Sequence, residues 1–322
     1  MPEPHEEVQF SFPAYEEFTT ESGLHVFVVE NHKLPTLTFN LTIRGGDAYD
    51  PEGMEGTASM MLDLLGKGTK YRSAQEIAQT LDGVGASIGG SSVGESMSIS
   101  GSSLKKHAKL LFTILGEQLT VPTFDEKELE KLREQYMAGV ASSRGNSMET
   151  AQALSRKVIY GMDNPLARRE TEKSVQALSR DEIVKFHQKH VMPNNASIAL
   201  VGDITVDVAK TLLKEHLGSW KAGTKPVLNM PAQSTEPAGV YFVERPGSVQ
   251  SAVLVSAAVP GVGNADWLPI NVASSYFGSS FGSVLFKTLR ETYSYTYSLK
   301  PVHDRSRGPL VGDGLCFERH SR

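Results

Sequence analysis

The sequence predicts an α+β protein, an antiparallel sheet with helices packed on it, built as two tandem domains of which the second is incomplete. Three observations carry this expectation. Thr36-Leu37-Thr38-Phe39-Asn40-Leu41-Thr42-Ile43 alternates polar and apolar side chains with the period of a half-buried strand. Strand patterns near the start give way to a long run of helical patterns, the order of an α+β layer structure rather than of strict strand–helix alternation. The opening pattern then recurs after a stretch rich in Pro, Gly, Ser and Thr at 222–238, where Val240-Tyr241-Phe242-Val243-Glu244 parallels Val26-Phe27-Val28-Val29-Glu30.

In chain order, residues 24–29 and 36–43 read as an antiparallel pair joined by Asn31-His32-Lys33-Leu34-Pro35. Helical periodicity follows at 53–65 and 73–84, and Ser73 with Glu76 three residues on forms a capping box for the second helix. Ser87-Ile88 and 96–100 read as short strands about a turn at Gly89-Gly90-Ser91-Ser92. A helix over 104–120 is stopped by Pro122, and Asp125 with Glu128 opens a long helix reaching about Arg144. Helices at 148–160 and 181–190 precede a buried strand at 196–201 ending in Gly202-Asp203, and then a helix at 206–217.

The first domain is therefore expected at 1–221, the linker at 222–238 and the second domain at 239–322. In that second domain 251–259 stands in for the second strand and 267–277 for the first helix. A unit of about 200 residues would stop less than halfway. A half domain is expected to expose apolar faces that its missing part should cover.

Composition narrows the function. The 322 residues, 39% apolar and 21% charged, describe a soluble globular protein able to build a core in each domain. A net charge of -5 gives no electrostatic basis for nucleic acid or an anionic membrane as partner. The lone cysteine, Cys316, excludes an internal disulfide and a Cys-based zinc site, and nothing in sequence marks it as a catalytic thiol. No apolar run approaches the roughly 18 residues of a membrane span. Met1-Pro2-Glu3-Pro4-His5-Glu6-Glu7 lacks the basic start and apolar core of a signal peptide, so the expected compartment is the cytoplasm, or the periplasm if the N-terminus is processed or incomplete.

The helix at 53–65 carries the main functional signal. A zinc hydrolase needs two imidazoles one helical turn apart to hold the ion and a carboxylate to take the proton from its water. The run from Gly56 to Lys67-Gly68-Thr69 resembles the inverted zinc motif of the M16 family (insulinase, pitrilysin and mitochondrial processing peptidase), in which Gly-x-x-His-x-x-Glu-His leads into Gly-Thr. That resemblance puts Ser59 and Asp63 where the two histidines would stand, and Leu62 where the catalytic glutamate would stand. The family's third ligand, a glutamate, lies on a later helix after a Phe-Asp-x-x-Glu start. Here that start is Phe124-Asp125-Glu126-Lys127-Glu128, and counting along the helix places Gly139 at the ligand position. One loss could be drift; four together remove the site. The resemblance implies tandem M16-type (LuxS/MPP-like metallohydrolase) domains and no metal in this chain.

A second constellation is intact. Residues 281–298 resemble the segment of the second M16 domain that carries an Arg and, seven residues later, a Tyr, here Arg290 and Tyr297. In the family this pair reaches the zinc site of the other domain, grips the substrate backbone and stabilises the oxyanion. A developing negative charge needs preorganised donors, which a guanidinium fork and a phenol supply. Val284 departs from the family, which often has Arg there, and Ser294-Tyr295 stands where Gly-Leu is usual.

The resemblance implies a non-catalytic subunit, inactive alone, that lends Arg290 and Tyr297 to a zinc-bearing M16 partner in a heterodimer acting on an extended peptide. Zinc is expected in the partner subunit. The alternative is a structural or peptide-binding, core-protein-like homologue with no proteolytic role. Blander readings attach to other residues. His187 and His190 have a spacing that can bind zinc but no carboxylate base beside them, and a histidine near a helix C-terminus is favoured by the dipole. The run 278–283 reads as a substrate-facing loop or a helix-start turn, because no Gly-Lys-Ser/Thr follows. The sequons at Asn40 and Asn195 fall in or beside predicted strands and read as chance matches.

Overall fold

Alternation along the third strand sets the geometry of the main sheet. A computed structural model describes residues 11–231, 239–248, 250–260, 263–296, 310–311 and 317–320. It opens with β1 (Glu16–Thr19), β2 (His25–Glu30) and β3 (Thr36–Arg44). Along β3, Leu37, Phe39, Leu41 and Ile43 are buried while Thr36, Thr38, Asn40 and Thr42 face outward. The sheet thus has one apolar face and one wet face, the latter lined by hydroxyls and amides such as the Asn40 Nδ2 that donates to Ser98 Oγ at 2.9 Å.

The helices α1 (Thr57–Leu65) and α2 (Ala74–Asp82) come next, followed by the hairpin β4 (Ser87–Val93) and β5 (Ser96–Leu104). Ser73 and Glu76 form the expected capping box: Ser73 Oγ accepts from the Glu76 amide at 3.3 Å, and Glu76 Oε2 accepts from the Ser73 amide at 2.8 Å. The hairpin turn lies at Gly94-Glu95 rather than at Gly89-Gly90-Ser91-Ser92. Gly94 supplies the left-handed backbone (φ 57°) that a tight hairpin requires, so the Gly-Ser run stays paired inside β4.

Next come α3 (Ala108–Thr120), α4 (Glu126–Arg144), α5 (Ser147–Tyr160), a short α6 (Glu172–Ala177), α7 (Arg180–His190), β6 (Ala196–Gly202) and α8 (Val206–Leu217). The helix expected from residue 104 begins at Ala108, because Leu104 still pairs with Thr36 at the end of β5. Asp125 caps α4 through its Oδ1, which accepts from the amides of Lys127 and Glu128.

The six strands order as β1-β2-β6-β3-β5-β4. The antiparallel pair expected between 24–29 and 36–43 does not form. Instead β6 lies between them, parallel to β2 with Val28 opposite Leu200, and antiparallel to β3 with Leu41 opposite Ile198. Burial explains the insertion: Ile198 and Leu200 are fully buried at the sheet centre, and an edge position would have left them in water. Every other junction is antiparallel. One core joins the apolar face to α1, α3, α7 and α8, and β4 is left as a sheet edge against α1.

Further along the chain, β7 (Gln250–Val253), β8 (Ala258–Val259) and α9 (Trp267–Ser274) are followed by π-helical segments at Ser275–Ser279 and Phe286–Thr292. The strand expected at 240–244 does not form; Val240 and Phe242 are exposed, and among the described residues no strand pairs with this run. The strand expected at 251–259 is split into β7 and β8. This part touches α5, where Ser155 Oγ donates to Ser256 Oγ at 2.8 Å. Among the described residues no helix is long and apolar enough to cross a membrane.

Candidate functional site

The site is built on the first turns of α1. Asp50, buried in the preceding loop, accepts from the Gly56 amide through Oδ2 at 2.7 Å and from the Ala58 amide through Oδ1 at 2.8 Å. It thereby satisfies the start of the helix at its positive end. Burial pushes the Asp50 carboxyl up to about 8, against the pull of the two amides. Gly56 itself sits at φ 102°, where a side chain would be strained, and a Cβ there would meet Glu170.

Three of the four positions, Ser59, Leu62 and Asp63, are engaged by neighbours, and the fourth, Gly139, is not. Ser59 Oγ donates to Asp47 Oδ1 at 3.4 Å, and Asp47 Oδ1 also accepts from Ser92 on β4, which ties the edge strand to the helix. Leu62 is buried and lies against Gly90 of β4, where an added Cβ would approach it to 3.3 Å. Asp63 Oδ2 accepts from the Tyr136 hydroxyl of α4 at 2.8 Å. Gly139, three residues further along α4, faces open space. The contact from Tyr136 brings the α4 face that carries Gly139 up to Asp63.

Electrostatics around this junction are acidic. Burial, chiefly, raises the carboxyls of Asp47 and Glu170, and the charges of Asp47 and Asp63 add to the effect on Glu170. The Tyr136 phenol is held protonated by burial first and by Asp63 next. A cavity of about 530 Å³ opens on the Leu62 and Asp63 side between Ile77, Leu81, Gly90 and Leu132. Another, of about 290 Å³, lies at Gly139 between Asp47, Arg156, Arg168 and Glu170.

These residues do not fit a zinc ion. Neither Ser59 nor Asp63 offers an imidazole, Asp63 is engaged by a phenol, Leu62 cannot act as a base and Gly139 has no side chain. Among the described residues no group of three or more His, Cys, Asp or Glu is arranged to hold a metal.

Arg290 lies on the π-helical segment Phe286–Thr292, its guanidinium carbon 4.7 Å from the centroid of the Phe286 ring. Tyr297 and Cys316 lie outside the described residues. His187 and His190 pack as core residues: His187 meets Phe124 edge-on at 5.3 Å, and His190 stacks on Phe186 at 4.3 Å. Burial pushes both down to about 4. In the run 278–283, Gly278 and Ser279 close the π-helical segment Ser275–Ser279 and residues 280–283 turn into the next helix, where Ser283 Oγ accepts from the Phe286 amide at 3.4 Å. Sequence reasoning missed Tyr136, Asp47 and Ser92. Tyr136 was within reach, since it stands three residues before Gly139 on one helix face; Asp47 and Ser92 meet only through tertiary folding.

A mixed sheet layered with helices, carrying a helix whose residues 56–69 resemble an inverted zinc motif, points to the metallopeptidase homologues as a class. Residues 25–159 match the family model described as Insulinase (Peptidase family M16), and residues 177–316 match that described as Peptidase M16 inactive domain. The chain belongs to peptidase family M16. It is 22% identical over 290 residues to the uncharacterized zinc protease YmxG of Bacillus subtilis, covering 89% of this chain and 69% of that protein. It is 25% identical over 292 residues to the non-peptidase homolog YmxG of Helicobacter pylori, covering 87% and 65%. The chain thus spans about two thirds of the length of these curated relatives. In fold it is similar to a peptidase M16 inactive domain from Pseudomonas fluorescens (TM-score 0.88, 21% identity, 95% of this chain and 74% of that one). A protease from Helicobacter pylori is also similar (TM-score 0.84, 18% identity, 97% and 76%).

Proposed function

We propose that this chain is the non-catalytic subunit of an M16 metallopeptidase heterodimer. Arg290 and Tyr297 act in trans, donating hydrogen bonds to an extended peptide held at the zinc site of a separate M16 chain. In this reading residues 1–221 form the first domain, 222–238 the linker, and 239–322 carry the Arg/Tyr segment. One observation carries the proposal: Ser59, Leu62 and Asp63 are each committed to a neighbour, Asp47, Gly90 and Tyr136, so the motif helix works as packing rather than as a metal cradle. The match to the M16 inactive domain model supports it.

Mixing the chain with a zinc-bearing M16 partner tests the proposal. The chain alone leaves peptides intact, and the mixture cleaves them. Arg290→Ala and Tyr297→Phe each lower turnover by about 10², the loss typical of an oxyanion donor. Wild-type rates from both variants would remove the trans-donor role. A second reading, a peptide-binding or structural homologue without proteolysis, draws on the non-peptidase name of the Helicobacter pylori relative. It requires that peptide bind this chain and that no M16 partner restore cleavage.

A further inference from the structure

Arg290 does not stand alone on its segment. Its guanidinium carbon lies over two aromatic rings, 4.7 Å from the centroid of Phe286 and 5.9 Å from that of Phe281. The rings meet each other edge to face, with centroids 4.7 Å apart and planes at 79°. Their burial differs sharply. Phe286 is 8% exposed and anchors the segment in the local core, whereas Phe281 is 75% exposed. An aromatic ring so exposed contributes little to a core. Its ring instead meets Phe286 and the guanidinium.

We propose that Phe281 and Phe286 are positioning residues that hold the Arg290 guanidinium in one orientation for its peptide acceptor. The physical basis is the division of labour within a guanidinium. Its flat face is attracted to the negative face of an aromatic ring, while its N–H donors lie in its plane. A guanidinium seated against two rings whose planes stand 79° apart is held from two directions, which narrows the directions its N–H donors can take toward a peptide carbonyl or a developing oxyanion. Phe286 and Arg290 are four residues apart on the π-helical segment Phe286–Thr292, so the inner ring moves with the arginine. The start of this segment is held by Ser283, almost fully buried, whose Oγ accepts from the Phe286 amide. Phe281 reaches the guanidinium from outside that segment and closes the clamp.

The inference rests on the reading of Arg290 as a donor in trans, and the experiment separates the two. Phe281 is the position to vary, because it is exposed and its substitution changes stability little; circular dichroism and a urea midpoint accompany each variant. In the isolated chain, the Arg290 Nε–H resonance, assigned through Arg290→Lys, is expected at a ring-current-shifted position. It moves toward the position of a free arginine in Phe281→Leu and stays displaced in Phe281→Trp. In the complex with the zinc-bearing M16 chain, Phe281→Leu lowers kcat about two- to fivefold with KM little changed, the size expected of an exposed cation–π contact. In the Arg290→Ala background the same change has no further effect, since both act through one side chain. An Nε–H resonance indifferent to Phe281→Leu, or losses that simply add in the double variant, would overturn the clamp. If Arg290→Ala leaves turnover untouched, the trans-donor reading fails, and the resonance still decides whether the rings orient the guanidinium.

Discussion

The Tyr136 hydroxyl donates to Asp63 Oδ2 at 2.8 Å and so joins α4 to α1. A phenol held protonated by burial and by the adjacent carboxylate is a donor that does not switch off near neutral pH. Tyr136→Phe keeps the ring packing and removes only the donor. It is expected to lower stability by about 1 kcal/mol. Urea denaturation checks this as a lower midpoint at an unchanged slope; equal midpoints would mean that the bond contributes nothing net.

His187 and His190 each contribute a loss of stability in acid. Burial is the first cause that pushes each down to about 4, with Lys189 adding to the effect on His190, and neither His187 Nε2 nor His190 Nδ1 has a hydrogen-bond partner. The unfolded chain, with histidines near 6.5, binds more protons than the folded one between these values, so stability rises with pH across that window. The contribution is complete above about pH 6.5 and is lost as pH falls toward 4, by roughly 3 kcal/mol per histidine. His187→Leu therefore gains on the wild type as pH is lowered from 7 to 4, in urea midpoints measured at each pH. The raised carboxyls of Asp47, Asp50 and Glu170 act in the opposite sense but are common to both proteins and cancel in the comparison. Parallel stability curves would contradict the assignment.

Much of this arrangement was legible in the sequence, and the part that was not has a physical reason. Elements with a local signature came through: the alternation of β3, the Ser73–Glu76 box and the Asp125 cap are each decided within a few residues. The place of β6 was not legible, because two strands close in sequence suggest a hairpin, and only the burial of Ile198 and Leu200 brings a distant strand between them. At the site the same division holds. Ser59, Leu62, Asp63 and Gly139 could be counted along two helices, whereas the partners that occupy them, Asp47, Gly90, Ser92 and Tyr136, meet them across 12 to 73 residues of chain or across the sheet edge.

Restoring the motif tests whether the helices still hold zinc geometry. Ser59 and Asp63 are one turn apart on α1, and the Tyr136 contact brings α4 to them, with open space beside Gly139. The triple variant Ser59→His, Asp63→His, Gly139→Glu is expected to retain zinc near one equivalent after dialysis, while each single variant does not. Glu in place of Gly139 also favours the helix by about 1 kcal/mol. Asp47 is positioned to accept from the new imidazole at 59, the kind of outer contact that orients zinc-bound histidines. Metal analysis of the dialysed protein reads the outcome; a triple variant that loses its zinc would mean that α1 and α4 have drifted out of register.

Leu268, Val272 and Tyr276 stand four residues apart and are 69%, 63% and 73% exposed, which makes one side of α9 and its continuation an apolar stripe. The other side of the helix is where burial occurs, at Ser274. A stripe of this kind, with Phe277 and Phe281 exposed nearby, is more apolar than a solitary protein keeps in water without consequence. The chain on its own is therefore expected to bind a hydrophobic dye and to self-associate with rising concentration. Leu268→Lys with Tyr276→Lys relieves both effects, because exposed positions tolerate charge within about 0.5 kcal/mol of stability. Sedimentation velocity over a concentration series distinguishes the outcomes: a wild type that sediments as one monomeric species throughout shows that the stripe needs no cover, and a lysine variant that associates as strongly as the wild type moves the sticky surface elsewhere.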